Sequence, residues 1–245
     1  MRDLLEDAVI IYRQDGESLL IVAAPAILLG PILVLIAGAG LVAALVTAPL
    51  IALVYVATYA ACVRAAGLVA SNAEPDALRA YLGTLDRARG VARSSAPVAL
   101  LFTAVAASAL ALVGDGHAEL GLGIVLAGGL VMGHWASRHA YEQPLILVHG
   151  LPWDEAKEVS ATLERSDLVR IVSLLGVVSL PLIFAAFISW GLSEAIAPTF
   201  GAALFAAAVG LWLPFVALTV TASCERFVDE VEGEAEPLPA GARSY

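Results

Sequence analysis

The sequence predicts an all-α, polytopic membrane protein on three observations: an apolar excess too large for a soluble core, six uninterrupted apolar runs, and a strict segregation of basic residues. Of its 245 residues, 60% are hydrophobic and 15% charged, whereas a soluble domain carries roughly 25% charged residues. Each run is long enough to cross about 30 Å of hydrocarbon as a helix of about 20 residues. Barrel strands would instead be alternating segments of about 10 residues, and a lone segment in lipid satisfies its amides only as a helix.

The runs are residues 18–37, 40–62, 96–114, 120–140, 168–191 and 198–223. All 13 Lys and Arg residues lie before the first run, after the last, or in and at the edges of the two long links that follow the second and fourth. The three alternate links carry none. The positive-inside bias of short loops then puts both termini and both long links in the cytoplasm of a multi-pass cell (plasma) membrane protein. The net charge of −10 does not oppose this, because the bias largely ignores acids. An acidic face excludes nucleic acid, which needs a basic patch. The expected partners are membrane lipid and a protein at the cytoplasmic face.

Taken in order, Asp3 to Asp15 place Leu4, Leu5, Ala8, Val9, Ile11 and Tyr12 at helical spacing, an interfacial amphipathic helix. Its mixed charge, and the lack of a small-residue cleavage site after a short apolar stretch, argue against a cleaved leader. The AGAG turn makes the first two spans a hairpin. In the second link, Pro75 suits a first helical turn. Leu78, Tyr81, Leu82, Leu85, Ala88 and Ala92 then share a face, with Arg79, Asp86, Arg87 and Arg89 pointing away. GDGHAE joins the third and fourth spans. From Arg138 to Arg170 the chain turns hydrophilic. Pro144, Gly150 and Pro152 interrupt it, and Trp153, Ala156, Val159 and Leu163 mark the greasy face of a third interfacial helix opposite Asp154, Glu155, Lys157 and Glu158. The last two spans are joined by WGLSEAIAP.

The expected architecture is therefore three hairpins, each preceded by a cytoplasmic amphipathic helix, in one domain over residues 1–228. Residues 229–245 read as a disordered acidic tail. Arginines recur before the odd spans (Arg13, Arg87, Arg165) and after the even ones (Arg64, Arg138, Arg226). Ordinary placement of arginine at an inner membrane edge explains this recurrence, and so does a threefold duplication.

Small residues recur every four positions at Ala26 and Gly30, at Ala44, Ala48 and Ala52, at Gly129 and Gly133, and at Ala202, Ala206 and Gly210. That spacing lets backbones approach closely in lipid. Pro25, Pro31, Pro49, Pro181 and Pro214 read as bends, or as marks of a transport path if they line one cavity. Ionisable groups inside a membrane are the default functional candidates, and they reduce to a speculative polar site of Tyr59, His134 and Arg138. The lack of a carboxylate deep in a span argues against an ion-coupled pump. Asp115, His117 and Glu119 read as a solvated turn rather than a metal site, and Cys62 and Cys224 as packed thiols in a reducing compartment. No catalytic, cofactor or metal motif appears.

The element YEQP, running into PLILVHG and then the amphipathic WDEAKEVSATL with Glu155, Ala156 and Ser160, is similar to the six-span membrane domain found beside some glycerophosphodiester phosphodiesterases and to related integral membrane families. The resemblance extends to the N-terminal amphipathic helix and implies an architecture. The phosphodiesterase barrel, with its metal-binding acids and histidines, is absent here, so no catalytic residue carries over. The expected role is a non-enzymatic module that organises lipid or partner proteins at the cytoplasmic face. The alternatives are a transporter or channel for a small neutral or lipid-like solute, and a membrane-embedded enzyme in which His134, Arg138, Tyr59 and Glu142 converge.

Overall fold

The computed structural model describes residues 2–114, 120, 123–124, 127–128, 131–132, 134–135, 138–196 and 198–234, and the regular structure among them is helical throughout. We number the continuous elements α1 (Arg2–Ala37), α2 (Leu41–Ala70), α3 (Ala77–Asp86), α4 (Ala88–Gly114), α5 (Glu142–Leu147), α6 (Trp153–Ala195) and α7 (Pro198–Glu234). Four of the segments searched are long and apolar enough to cross a membrane: Ala8–Ala37, Leu41–Ala70, Ala88–Ser108 and Thr199–Val228. They cover the first, second, third and sixth expected spans. The fourth, 120–140, lies partly outside the described residues, and its described positions from 120 to 138 are helical. The fifth falls inside α6, where Ser179–Ser189 is the described apolar stretch.

Polarity is arranged as a bilayer requires. Leu28, Leu29, Leu45, Val46, Leu53, Phe184 and Phe187 are exposed, while Ala23, Ala60, Ala61, Ala65 and Ala217 are fully buried. Lipid offers no hydrophobic drive between helices, so small residues supply the close contacts. The last helix is the axis: half of its apolar window is buried, against 17% for α4. A methyl added at Gly210 would stand 2.9 Å from the backbone nitrogen of Ile27 and 3.0 Å from the carbonyl carbon of Ala26. The α1–α7 interface therefore tolerates no side chain there. Hydroxyls in the apolar helices turn back on their own backbone, Thr47 to Ala43, Thr103 to Ala99 and Thr219 to Phe215, at 2.7–2.8 Å, so they demand no partner from another helix.

Several expected boundaries move. The interfacial helix at Asp3–Asp15 and the first span are one helix, because DGES contains no proline and a single Gly16 costs only about 1 kcal/mol. Ala8 and Tyr12 then pack on Phe215, with the Tyr12 and Phe215 rings edge to face at 6.0 Å. The third interfacial helix likewise continues into the fifth span as α6, since nothing between Leu163 and Leu168 breaks it. The second span runs on to Ala70, where Asn72 takes φ 56°, a left-handed conformation that asparagine tolerates after a helix. Pro75 precedes its helix rather than opening it: Asp76 is the N-cap of α3, accepting from the Leu78 and Arg79 amides as short acidic side chains do. α7 reaches Glu234, into the expected tail, whose residues 235–245 lie outside the described residues.

The face of α3 is also redistributed. Leu78, Leu82 and Leu85 are exposed, whereas Ala80 and Thr84 are buried and Tyr81 donates to the Val22 carbonyl at 2.9 Å. Burial pushes the Tyr81 phenol above its usual pKa. Arg87 does not point away. It sits at the break between α3 and α4 and reaches inward.

Candidate functional site

At the arginine-rich end, the hydrophilic interruption conceals an apolar element. Pro144, Leu145, Ile146 and Leu147 of α5 are buried, and Tyr141, 1% exposed, bonds through its hydroxyl to Ser223 Oγ at 2.8 Å. A helix of six residues ends with unpaired carbonyls, and two arginines supply the donors. Arg64 of α2 donates to the Leu147 carbonyl at 2.8 Å, while Arg87 donates to the Ile146 carbonyl and, at 3.1 Å, also to that of Leu147. Cations at a helix C-terminus also meet its negative pole. Burial, and then the neighbouring Arg64, hold Arg87 below its usual pKa. Gly150 ends the turn at φ 78°, with the Arg87 guanidinium 3.1 Å from where a Cβ would stand.

The expected interfacial face is turned inward here. Ala156 and Leu163 are buried in the main core, with Trp153 and Val159 packed against it, so this part of α6 seals the base rather than offering a free surface. Arg93 and Lys157 lie over the Trp153 ring at 5.6 and 5.4 Å.

Above α5, a cleft opens between α2, α4 and α7 in two adjoining compartments. The inner one, about 400 Å³, is lined by Tyr59, Ser94, Ser95, Trp135, His139 and Gln143 along with apolar side chains. The outer one, about 360 Å³, is lined by Ile51, Phe205, Ala206 and other apolar residues. Tyr55, Val56, Val98, Phe102 and Val209 border both. Tyr55 braces the wall by donating to the Ala206 carbonyl at 2.5 Å, and its ring fills the space beside Gly30.

The floor is polar. Gln143 Nε2 donates to Ser95 Oγ at 2.8 Å, while Gln143 Oε1 is buried and has no hydrogen-bond partner among the described residues. His139 Nδ1 stands 2.6 Å from Glu142 Oε1. Trp135 stacks on the His139 ring at 4.2 Å, and Glu142 is 2% exposed.

Of the speculative polar site, Tyr59 lines the cleft, while His134 and Arg138 are exposed and border neither compartment. The next turn of the same helical stretch delivers Trp135 and His139 instead. Ser94, Ser95 and Gln143 escaped sequence reading because each sits where a span meets water and looks like an ordinary polar edge. The glutamine before Pro144 was the available signal. Pro49 and Pro181 are exposed and Pro214 is buried, and none of them borders the cleft. Asp115, His117, Glu119, Gly129 and Gly133 lie outside the described residues. No protein-family model, curated protein or solved structure matches the chain.

Proposed function

We propose that the chain is a six-span protein with both termini in the cytoplasm, acting as a non-enzymatic module that holds a membrane lipid by an acyl chain in the cleft. The observation that carries this reading is the cleft itself, apolar along its length and polar only at the floor, the profile of a site for one amphiphile. Kinship with the six-span domain that accompanies phosphodiesterases belongs to the same proposal, on PLILVHG and the helix after it. A transport path has less support, since none of the bent-helix prolines borders the cleft.

Photolabelling of the chain in lipid nanodiscs with diazirine-acyl lipids tests the reading. Adducts should concentrate on cleft residues such as Phe102 and Phe205, and V209W, which fills the shared wall, should erase them. Adducts spread evenly over the outer belt at Leu28, Leu53 and Phe187 would refute it. For topology, an impermeant maleimide should modify a cysteine placed at Asn72 from the cytoplasmic side alone, and one placed at Ala118 from the opposite side. Any other pattern overturns the threading.

A further inference from the structure

Two features of the floor select among head groups. Among the described residues, neither compartment is bordered by Lys, Arg, Asp or Glu. Arg64 and Arg87 are engaged on the α5 carbonyls, and Glu142 lies against His139. A phosphate or an ammonium brought here would lose water and find no counter-charge, which makes either unfavourable. Against this lining stands the buried Gln143 Oε1, which has no hydrogen-bond partner among the described residues. Ser95 can either donate or accept, so the opposite amide orientation would leave the Gln143 nitrogen as the unmet group instead. A ligand hydroxyl satisfies both cases because it donates and accepts. A quaternary ammonium satisfies neither. Tyr59 also borders this compartment.

Given the acyl-chain reading of the cleft, we infer that its occupant is a neutral, hydroxyl-bearing amphiphile of the mono- or diacylglycerol kind. The hydroxyl bonds to Gln143, and the chain runs along Val98, Phe102 and Val209 into the outer compartment. Head-group choice is thus made by exclusion of charge and by one amide.

The test uses the full chain in phosphatidylcholine nanodiscs with two photoreactive probes that share the same diazirine acyl chains, a diacylglycerol and a phosphatidic acid. Cleft adducts from the diacylglycerol should exceed those from phosphatidic acid by about fivefold or more, the range of one buried hydrogen bond. Unlabelled mono-oleoylglycerol should compete, while unlabelled phosphatidic acid should not. Q143M should reduce diacylglycerol labelling to the phosphatidic acid level, with Y59F retaining most of it. The competition arm needs only the wild-type chain, so a misfolded Q143M does not remove the test. Equal cleft labelling by both probes would overturn the head-group inference and leave the acyl-chain reading standing. Absence of cleft labelling by either probe would overturn both.

Discussion

The arginine clasp on α5 makes an ordered prediction. Replacing Arg87 with methionine removes the donor to the Ile146 carbonyl and one of two donors to that of Leu147. Ile146 is 2% exposed, so water does not readily replace the guanidinium. A charged hydrogen bond to such an acceptor is worth about 1.5–3 kcal/mol. Removing a guanidinium that burial and Arg64 already disfavour offsets part of this, leaving a loss of about 1–2 kcal/mol. R64M costs less, about 0.5–1 kcal/mol, because Leu147 keeps Arg87 at 3.1 Å. In the double variant both carbonyls lose every arginine donor, and the mutual repulsion is relieved once rather than twice. The combined loss should therefore exceed the sum of the singles by about 1 kcal/mol or more. Reversible SDS unfolding in mixed micelles, followed by far-UV circular dichroism, measures all three. An R64M loss equal to or above that of R87M, or strict additivity, would refute the shared-acceptor account.

Gly210→Ala should lose about 1–3 kcal/mol in the same assay because the added methyl meets the backbone of α1, an overpacking that no rotamer relieves. G191A, which meets nothing within 4 Å, should be neutral or slightly stabilising. Y81F removes the bond to Val22 at 2.9 Å, for a loss of about 1 kcal/mol, and changes the alkaline response. The folded Tyr81 pKa lies above its unfolded value, so above about pH 10 the unfolded state loses this proton first and stability falls as pH rises. Y81F should show a shallower fall than wild type across that range. A nitroxide at position 82, on the exposed leucine face of α3, should collide with oxygen more than with a water-soluble nickel complex in bicelles, and one at position 79 should show the reverse. Equal accessibilities would place α3 away from the membrane surface.

What could be read from the sequence follows from where the energy lies. Long apolar runs and the turn at Gly38–Gly40 are local signals, and they mark the end of α1 and the start of α2 closely. Whether an amphipathic segment stands apart from the span that follows is not local. Gly16 and the stretch between Leu163 and Leu168 permit either outcome, and packing of Ala8, Tyr12, Ala156 and Leu163 decides for continuity. Tyr59 was found because a polar group inside an apolar run stands out, and His134 and Arg138 drew notice for the same reason. Their exposure depends on the rotation of their helix, which an alanine- and glycine-rich sequence with no clear amphipathic stripe leaves open. The arginines at 64 and 87 looked like equivalent edge residues of a repeat. In the fold they converge on one carbonyl, from α2 and from the α3–α4 junction, while Arg13 and Arg138 are exposed.

The partners of α5 also impose an order on biogenesis. Its carbonyls take donors from α2 and from the α3–α4 junction, both already synthesised when α5 emerges. The Tyr141 hydroxyl, however, waits for Ser223, 82 residues further along the chain. Through the whole synthesis of α6 and most of α7, the apolar PLILV segment thus has a half-built seat. A ribosome stalled before Ser223 would hold a nascent chain whose greasiest non-spanning segment lacks its lid, the stage at which a membrane chaperone has most to recognise.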